Sequence, residues 1–180
     1  PQSNFILSCY DKLISKIQTN PEVVLYQTYF KKKNNLKIFL KTKTIPRVYS
    51  VFEKVLSLDK PDNRDKLKSS LEANNDFENF IKLNLFKFIP ISYLESFKRV
   101  KSFCENIKLE PKLIISAVGE RNDLFQIWSA EKMLNKTKYF CSEHGGNIED
   151  QPKFDNKIKK YDCFLSWNKS EKEKVHQISP

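Results

Sequence analysis

The sequence predicts an α/β protein with a Rossmann-like parallel sheet, preceded by a largely helical region. The run KLIISAV at residues 112–118 is continuously apolar, as in a strand buried within a parallel sheet. A helix at residues 122–134, the strand KYFCS, a charged helical piece and the strand DCFLSW follow it. This alternation indicates a βαβαβ unit in residues 111–180, after a mostly helical, basic region in residues 1–110.

The first 110 residues combine helical periodicity with two strand-like runs. Apolar residues from Ile6 to Ile17 repeat at helical spacing, and residues 46–58, 65–73 and 77–88 show the same pattern. The runs VVLYQTYF and LKIFL favour strands, and we interpret KKKNN between them as a charged turn. Ser92 and Glu95 have the spacing of a capping box at the start of a further helix.

The chain carries a net charge of +10, and this charge is uneven. Residues 1–110 hold 20 basic and 12 acidic side chains, whereas residues 111–180 hold 12 and 10. Such an excess suits nucleic acid, anionic lipid or phosphorylated substrates, but a solvated lysine surface is the favoured explanation. Only four of the 32 basic residues are arginine, the residue that reads bases and clamps carboxylates, which disfavours a nucleic-acid partner.

Several classes of protein are disfavoured by what the sequence lacks. The four cysteines contain no CxxC pair, and we interpret them as buried free thiols; a zinc set of Cys141, His144 and Cys163 is only nominal. No DxD motif occurs, so we expect neither a divalent metal nor another cofactor. No apolar run is long enough to span a bilayer, and the first residues do not have a signal-peptide pattern. We therefore expect a cytoplasmic protein, with the inner membrane face as an optional peripheral contact.

The candidate site lies at the carboxyl ends of the predicted strands, where parallel sheets bind ligands. Three segments leave these ends: residues 117–121, 142–148 and 167–168. Two of the chain's three glycines are adjacent there, directly after a histidine, and glycine lets backbone amides approach an anion closely. The candidate substrate-binding residues are Gly119, Glu120, Arg121, Gly145, Gly146, Asn147 and Trp167.

His144 is the candidate general base on an acceptor hydroxyl, or a cation that pairs with a phosphate. A turn histidine that bonds a neighbouring carbonyl is the structural alternative. Glu143 and Glu120 are the alternative bases. Trp167 is placed to stack on a sugar or to pack at the sheet edge, whereas Trp128 belongs to the apolar face of a helix and is expected in the core.

Residues 77–180 contain, in this order, the segments FENFIKLNLFKFIPISYLESFKRV, PKLIISAV, DLFQIWSAEKM, EHGGN and YDCFLSW. In their order and spacing, these segments resemble the bacterial transferases of surface-carbohydrate biosynthesis. The resemblance implies a metal-independent, two-domain glycosyltransferase with His144, Gly145 and Gly146 on the active-site turn. It also implies that the chain stops before a second domain that holds most of the nucleotide-sugar. The chain departs from the family pattern at Glu143, at Asn147-Ile148 and at Asn168.

The expected function is therefore sugar transfer from an activated nucleotide donor to a glycan or lipid-linked acceptor. Two alternatives remain. One is a module that binds RNA or another polyanion, indicated by Tyr26, Tyr29 and Phe30 beside the lysines at 31–33. The other is a catalytically silent scaffold, indicated by the departures after the histidine-glycine turn.

Overall fold

The protein is described by a computed structural model. It describes residues 20–48, 51–53, 71–143 and 154–178, together with residues 9, 12–14, 16, 17, 59, 64 and 67. The chain divides into two compact units, one formed by Pro1–Lys54 with Ile107–Pro180 and the other by Val55–Asn106. In the described part of the chain, no helix is both long and apolar enough to cross a membrane.

The first unit is built on a six-stranded parallel sheet in the order β2-β1-β3-β4-β5-β6. The strands are β1 (Val23–Tyr26), β2 (Arg47–Val48), β3 (Leu113–Ser116), β4 (Lys138–Ser142), β5 (Cys163–Ser166) and β6 (Val175–Gln177). The described α-helices are α1 (Lys32–Thr42), α2 (Asp76–Phe88), α3 (Phe97–Glu105), α4 (Asp123–Leu134) and α5 (Phe154–Ile158). An α/β, Rossmann-like fold is confirmed.

The predicted β3-α4-β4-α5-β5 succession is confirmed, and the sheet extends beyond it on both sides. β1 pairs in parallel with β3, so a strand of the first 26 residues lies in the middle of the sheet. β6 follows β5 at the other edge. Neither β2 nor β6 was predicted, because two or three residues are too short to show a period.

The segment KKNNLKIFLKT, residues 32–42, is helical, so the predicted strand LKIFL and the predicted turn KKKNN are wrong. β1 and β2 are parallel, and parallel neighbours cannot be joined by a hairpin. The chain between them must cross over, and α1 supplies the crossover. A short apolar run such as LKIFL does not by itself distinguish a strand from a buried helix segment. Here the parallel topology of the sheet requires the helix.

Helices cover both faces of the sheet. On one face, Ile38 of α1 packs against a cluster formed by Val23, Leu25 and Ile115. On the other face, α4 buries Phe125 and Trp128, each with no exposed surface. The core position predicted for Trp128 is confirmed. With α1 on one face and α4 on the other, the sheet is doubly wound, and its strand order reverses between β1 and β3.

An aromatic cluster joins α4 to β1. The rings of Tyr26 and Phe125 stack with centroids 4.2 Å apart, and Phe52 packs edge-on against both, at 5.4 and 5.1 Å. Trp128 lies 5.1 Å from Phe52. Phe52 belongs to a 3-10 turn, Val51–Glu53, within the predicted helix 46–58, whose opening residues instead form β2; the helix prediction is therefore wrong at both places.

In the second unit, Arg64 and Glu95 form a two-pronged ion pair with N–O distances of 2.5 and 2.7 Å. Arg64 also donates to the carbonyl of Ile89, at 3.0 Å, near the end of α2. The hydrogen bonds that Arg64 donates to Glu95 are the main cause that raises the pKa of Arg64. α3 begins at Phe97 with Ser96 as its N-cap, so the helix start predicted at Ser92 is wrong.

Three of the four cysteines, Cys104, Cys141 and Cys163, are buried free thiols, as predicted. Cys9 is free but exposed, so the prediction was wrong for this one. Its place in an amphipathic helical pattern suggested burial, but the side chain lies on the solvent side.

Replacing Phe125 by Ala should lower the free energy of unfolding by about 3–5 kcal/mol, because a fully buried ring is lost from the aromatic cluster. Urea unfolding followed by circular dichroism measures this. The matched control is Leu134→Ala on the same helix, where the side chain is 85% exposed and the expected change is within about 0.5 kcal/mol. Equal effects of the two variants would contradict the core position of Phe125.

Asp162 should make the fold sensitive to acid. Partial burial opposes ionisation, but hydrogen bonds from Lys138 Nζ (2.8 Å) and the Tyr139 amide (2.9 Å) outweigh it and lower the pKa of Asp162. A lowered folded-state pKa adds stability above the unfolded value of about 4, and this stability is lost as pH falls through the folded pKa. Asp162→Asn should therefore destabilise at pH 7 and make little difference at pH 2. Urea unfolding at each pH measures the difference in free energy of unfolding between the parent and Asp162→Asn. The same difference at pH 7 and pH 2 would refute this prediction.

Candidate functional site

Three neighbouring strands end in buried serines at the same edge of the sheet. Ser116 ends β3, Ser142 ends β4 and Ser166 ends β5, and all three are at most 2% exposed. Ser116 lies beside Cys141, and Ser142 beside Leu165, so the strand ends differ by one residue in register. The segments that leave these strands therefore begin side by side, as the sequence predicted for the carboxyl edge.

Glu143, directly after β4, is held by the end of β5. Its amide donates to the carbonyl of Leu165 at 2.8 Å. Its Oε2 atom accepts from Ser166 Oγ at 2.8 Å and from the amide of Trp167 at 3.0 Å. The side chain is only 4% exposed, and Oε1 has no hydrogen-bond partner among the described residues. Oε2 therefore fixes the position of the carboxyl group. Oε1 can still accept a hydrogen bond, and no described residue donates one to it.

The segment after β3, residues 117–122, packs against the core and caps α4. The Gly119 amide donates to Ser116 Oγ at 2.8 Å, and a Cβ at Gly119 would overlap the ring of Phe125 and lie 2.6 Å from that oxygen. Packing alone therefore requires glycine at this position. Asn122 caps α4 by accepting from the Phe125 amide at 2.9 Å. Arg121 is exposed, at the end of a 3-10 turn.

A cavity of about 500 Å³ opens at this edge of the sheet. We call it the carboxyl-edge pocket. Its walls are the β1–α1 connection at residues 28–31, one face of α1, the Ser142-Glu143 pair, and Trp167 with Ile178. Of the predicted site residues, it brings together Glu143 and Trp167, whose ring is 41% exposed. Gly119 and Arg121 do not line it.

Sequence reasoning missed the wall of the pocket that α1 forms. Asn34, Lys37, Ile38 and Lys41 line it with the i, i+3, i+4, i+7 spacing of a single helix face. Lys31, just before the helix, lines it as well. The signal that could have found them is topological, because a helix between β1 and a parallel neighbour must start at the carboxyl edge.

Two residues of the β1–α1 connection have backbone conformations that side chains disfavour. Gln27 has φ 48° and Tyr29 has φ 56°, in the left-handed region. For a bulky residue such as tyrosine this conformation costs free energy and is common near ligand sites. The ring of Tyr29 is 71% exposed at the pocket wall.

Four of the predicted site residues, His144, Gly145, Gly146 and Asn147, lie outside the described residues, as does the side chain of Glu120. Their roles stay predictions. The nominal zinc set also included Cys141 and Cys163. Phe140, not Cys141, is the register partner of Cys163, so the two cysteines face opposite sides of the sheet.

Among the residues that the structure describes, no group of three or more His, Cys, Asp or Glu side chains is arranged to hold a metal ion. Burial, followed by the charge of Asp162, raises the pKa of the Cys163 thiol. A raised pKa keeps this thiol protonated at neutral pH, so it is a poor nucleophile.

The fold and the pocket define a doubly wound α/β protein with a cavity at the carboxyl edge of its parallel sheet. Residues 2–180 match the profile of the LIC12162 family transferase, and the chain belongs to that family. Comparisons with curated proteins and with solved structures found no match.

Replacing Ser166 by Ala should lower the free energy of unfolding by about 1–3 kcal/mol, because the buried Glu143 carboxyl group loses one of its two donors. The control is Ser170→Ala, whose hydroxyl accepts only from the Lys172 amide at an exposed turn, and which should change little. Paired urea titrations compare the two variants. If Ser166→Ala is as mild as the control, the carboxyl group does not depend on this hydroxyl.

Proposed function

We propose that this transferase moves a sugar from an activated nucleotide donor to a hydroxyl group of a glycan or lipid-linked acceptor, as a step in making a bacterial surface polysaccharide. The observation that carries the proposal is Glu143, a buried carboxyl group with an unpartnered oxygen among the described residues, in a pocket at the carboxyl edge. Family membership supports group transfer, and the resemblance of residues 77–180 supports sugar as the group.

The proposed reaction needs one base and a means of holding the acceptor. The acceptor oxygen attacks the anomeric carbon, the bond from that carbon to the donor phosphate breaks, and the phosphate leaves with the electron pair. His144 takes the acceptor proton or steadies the leaving phosphate. Oε1 of Glu143 accepts a hydrogen bond from the acceptor hydroxyl and orients it, and this oxygen is the alternative base. The amides of Gly145 and Gly146 approach the developing charge.

The proposed partners follow from this chemistry. A nucleotide-sugar and a glycan acceptor are the substrates, with Asn147, Glu120 and Arg121 as further candidate contacts and no metal ion in the scheme. The reaction is proposed to take place in the cytoplasm. The lysines of the first part of the chain would attract an anionic glycan or the inner membrane face.

The two alternatives, a polyanion-binding module and a silent scaffold, are separable from sugar transfer by experiment. For the first, Tyr26 is only 2% exposed and stacks on Phe125, so this ring is not free to stack on a base. Binding of RNA through the lysines would weaken steeply with salt. A silent scaffold would bind ligands without turnover.

Replacing His144 by Ala should reduce sugar transfer by roughly 100- to 10,000-fold, because a general base is lost. Glu143→Gln should reduce it as well, with the side-chain size kept. The assay measures nucleotide release from CMP-, UDP- and GDP-sugars in the presence of short anionic glycans.

The matched controls are His176→Ala, which changes the only other histidine, and Glu171→Gln on an exposed turn. Both should transfer at the unchanged rate, and all variants should keep the circular dichroism of the parent. Undiminished transfer by His144→Ala would remove this histidine from the mechanism. If the two control variants lose transfer to the same extent, the proposed site is refuted, because the loss would then not depend on His144 or Glu143.

A further inference from the structure

We propose that the carboxyl-edge pocket binds a phosphorylated sugar or polyol, with the phosphate against the lysines of α1 and a hydroxyl group on Glu143. The inference deepens the proposed function, on which it rests for the role of this pocket. It assigns a role to Lys37 and Lys41, which the sequence did not single out, and to Lys31, which the sequence indicated only for the polyanion-binding alternative.

The position of the lysines follows from how α1 is anchored. Ile38 packs on the apolar cluster of the sheet, so the residues beside it on the helix face point along the pocket wall. Lys37 and Lys41 lie on that wall, and Lys31 lies at the start of the helix. No ion pair joins any of the three to another residue in the described part of the chain. Their charges are therefore available to a ligand.

The amino-terminal end of α1 adds to this positive wall. Lys31 and Asn34 bring the first turn of the 11-residue helix to the pocket. No side chain caps this end and no acidic residue lies in its first turn. Uncapped amides at a helix start carry partial positive charge and suit a phosphate group.

A second part of the pocket lining, at the carboxyl end of β4, carries two buried polar atoms. Ser142 Oγ and Glu143 Oε1 are both buried without a hydrogen-bond partner among the described residues, and both residues line the pocket. Their side chains are 2% and 4% exposed. Buried polar groups are nearly always satisfied, so these atoms indicate a ligand that supplies the missing bonds.

The two parts of the lining together restrict the class of ligand. A bare phosphate would satisfy the lysines but would present only oxygens to the carboxyl group of Glu143. A neutral sugar would donate hydroxyls to Glu143 and leave the lysines without an anion. A molecule that carries both a phosphate and hydroxyl groups satisfies both parts of the lining, and the exposed ring of Trp167 adds an apolar face to the same pocket.

Such a phosphate has two sources in the proposed reaction, a phosphorylated acceptor or the diphosphate of a nucleotide-sugar. Calorimetric titration of the whole chain distinguishes them. The probes are glucose 1-phosphate, N-acetylglucosamine 1-phosphate, glycerol 3-phosphate and UDP-glucose, with inorganic phosphate and methyl glucoside as controls. Tighter binding of a sugar phosphate than of UDP-glucose assigns the pocket to the acceptor, and the reverse order assigns it to the donor.

The decisive variant is the pair Lys37→Gln and Lys41→Gln. It should weaken binding of the best phosphorylated probe by about tenfold or more, because two charged contacts are lost. The matched control is the pair Lys33→Gln and Lys43→Gln, which removes the same charge from the helix and its C-cap outside the pocket and should weaken binding less than about threefold. Glu143→Gln should weaken the phosphorylated probes and leave inorganic phosphate unchanged.

Equal weakening by the two lysine pairs overturns the proposal, since it would show a diffuse basic surface. So does methyl glucoside binding as tightly as the sugar phosphates, or no binding of any phosphorylated probe. These results are separate from turnover. If the protein transfers sugar but the two lysine pairs weaken binding of the phosphorylated probes equally, the proposed function stands and the phosphate pocket is refuted. If the phosphorylated probes bind as expected but no sugar is transferred, the pocket stands and the proposed function is refuted.

Discussion

The stacking of Tyr26 on Phe125 is the contact on which the first unit depends. It joins β1, which begins at residue 23, to α4, which begins at residue 123. Phe52 packs edge-on against both rings. Because Phe125 fills the space beneath the segment after β3, that segment must contain glycine at position 119. The packing of one ring thus governs both the core and the path of the chain toward the carboxyl edge.

At that edge, the carboxyl group of Glu143 connects β4 to β5. One oxygen accepts two hydrogen bonds from the end of β5, and Ser166, which donates one of them, accepts in turn from the Asn168 amide at 3.0 Å. The carboxyl group is therefore oriented by strand ends rather than by a mobile loop. This rigidity leaves its second oxygen in a defined direction, which is what a ligand-binding group requires.

The success of prediction depended on the length and period of each segment. β3, α4 and β4 have long, consistent patterns and were predicted within one or two residues. The prediction for the segment that forms α1 was wrong, because a mixture of lysine and apolar residues suits a turn and a strand as well as a helix. In the candidate site, Glu143 and Trp167 were predicted and line the pocket, whereas the lysine wall depended on α1 and was missed.

The sequence by itself determined the fold class, the buried strands and the edge at which polar residues gather, because apolar periodicity and strand order depend on local spacing. Only the tertiary structure decided that β1 lies in the middle of the sheet and that α1 crosses beside it. Parallel pairing between distant segments is a non-local constraint that local spacing does not reveal. Because of this pairing, the lysines of α1 line the same pocket as Glu143.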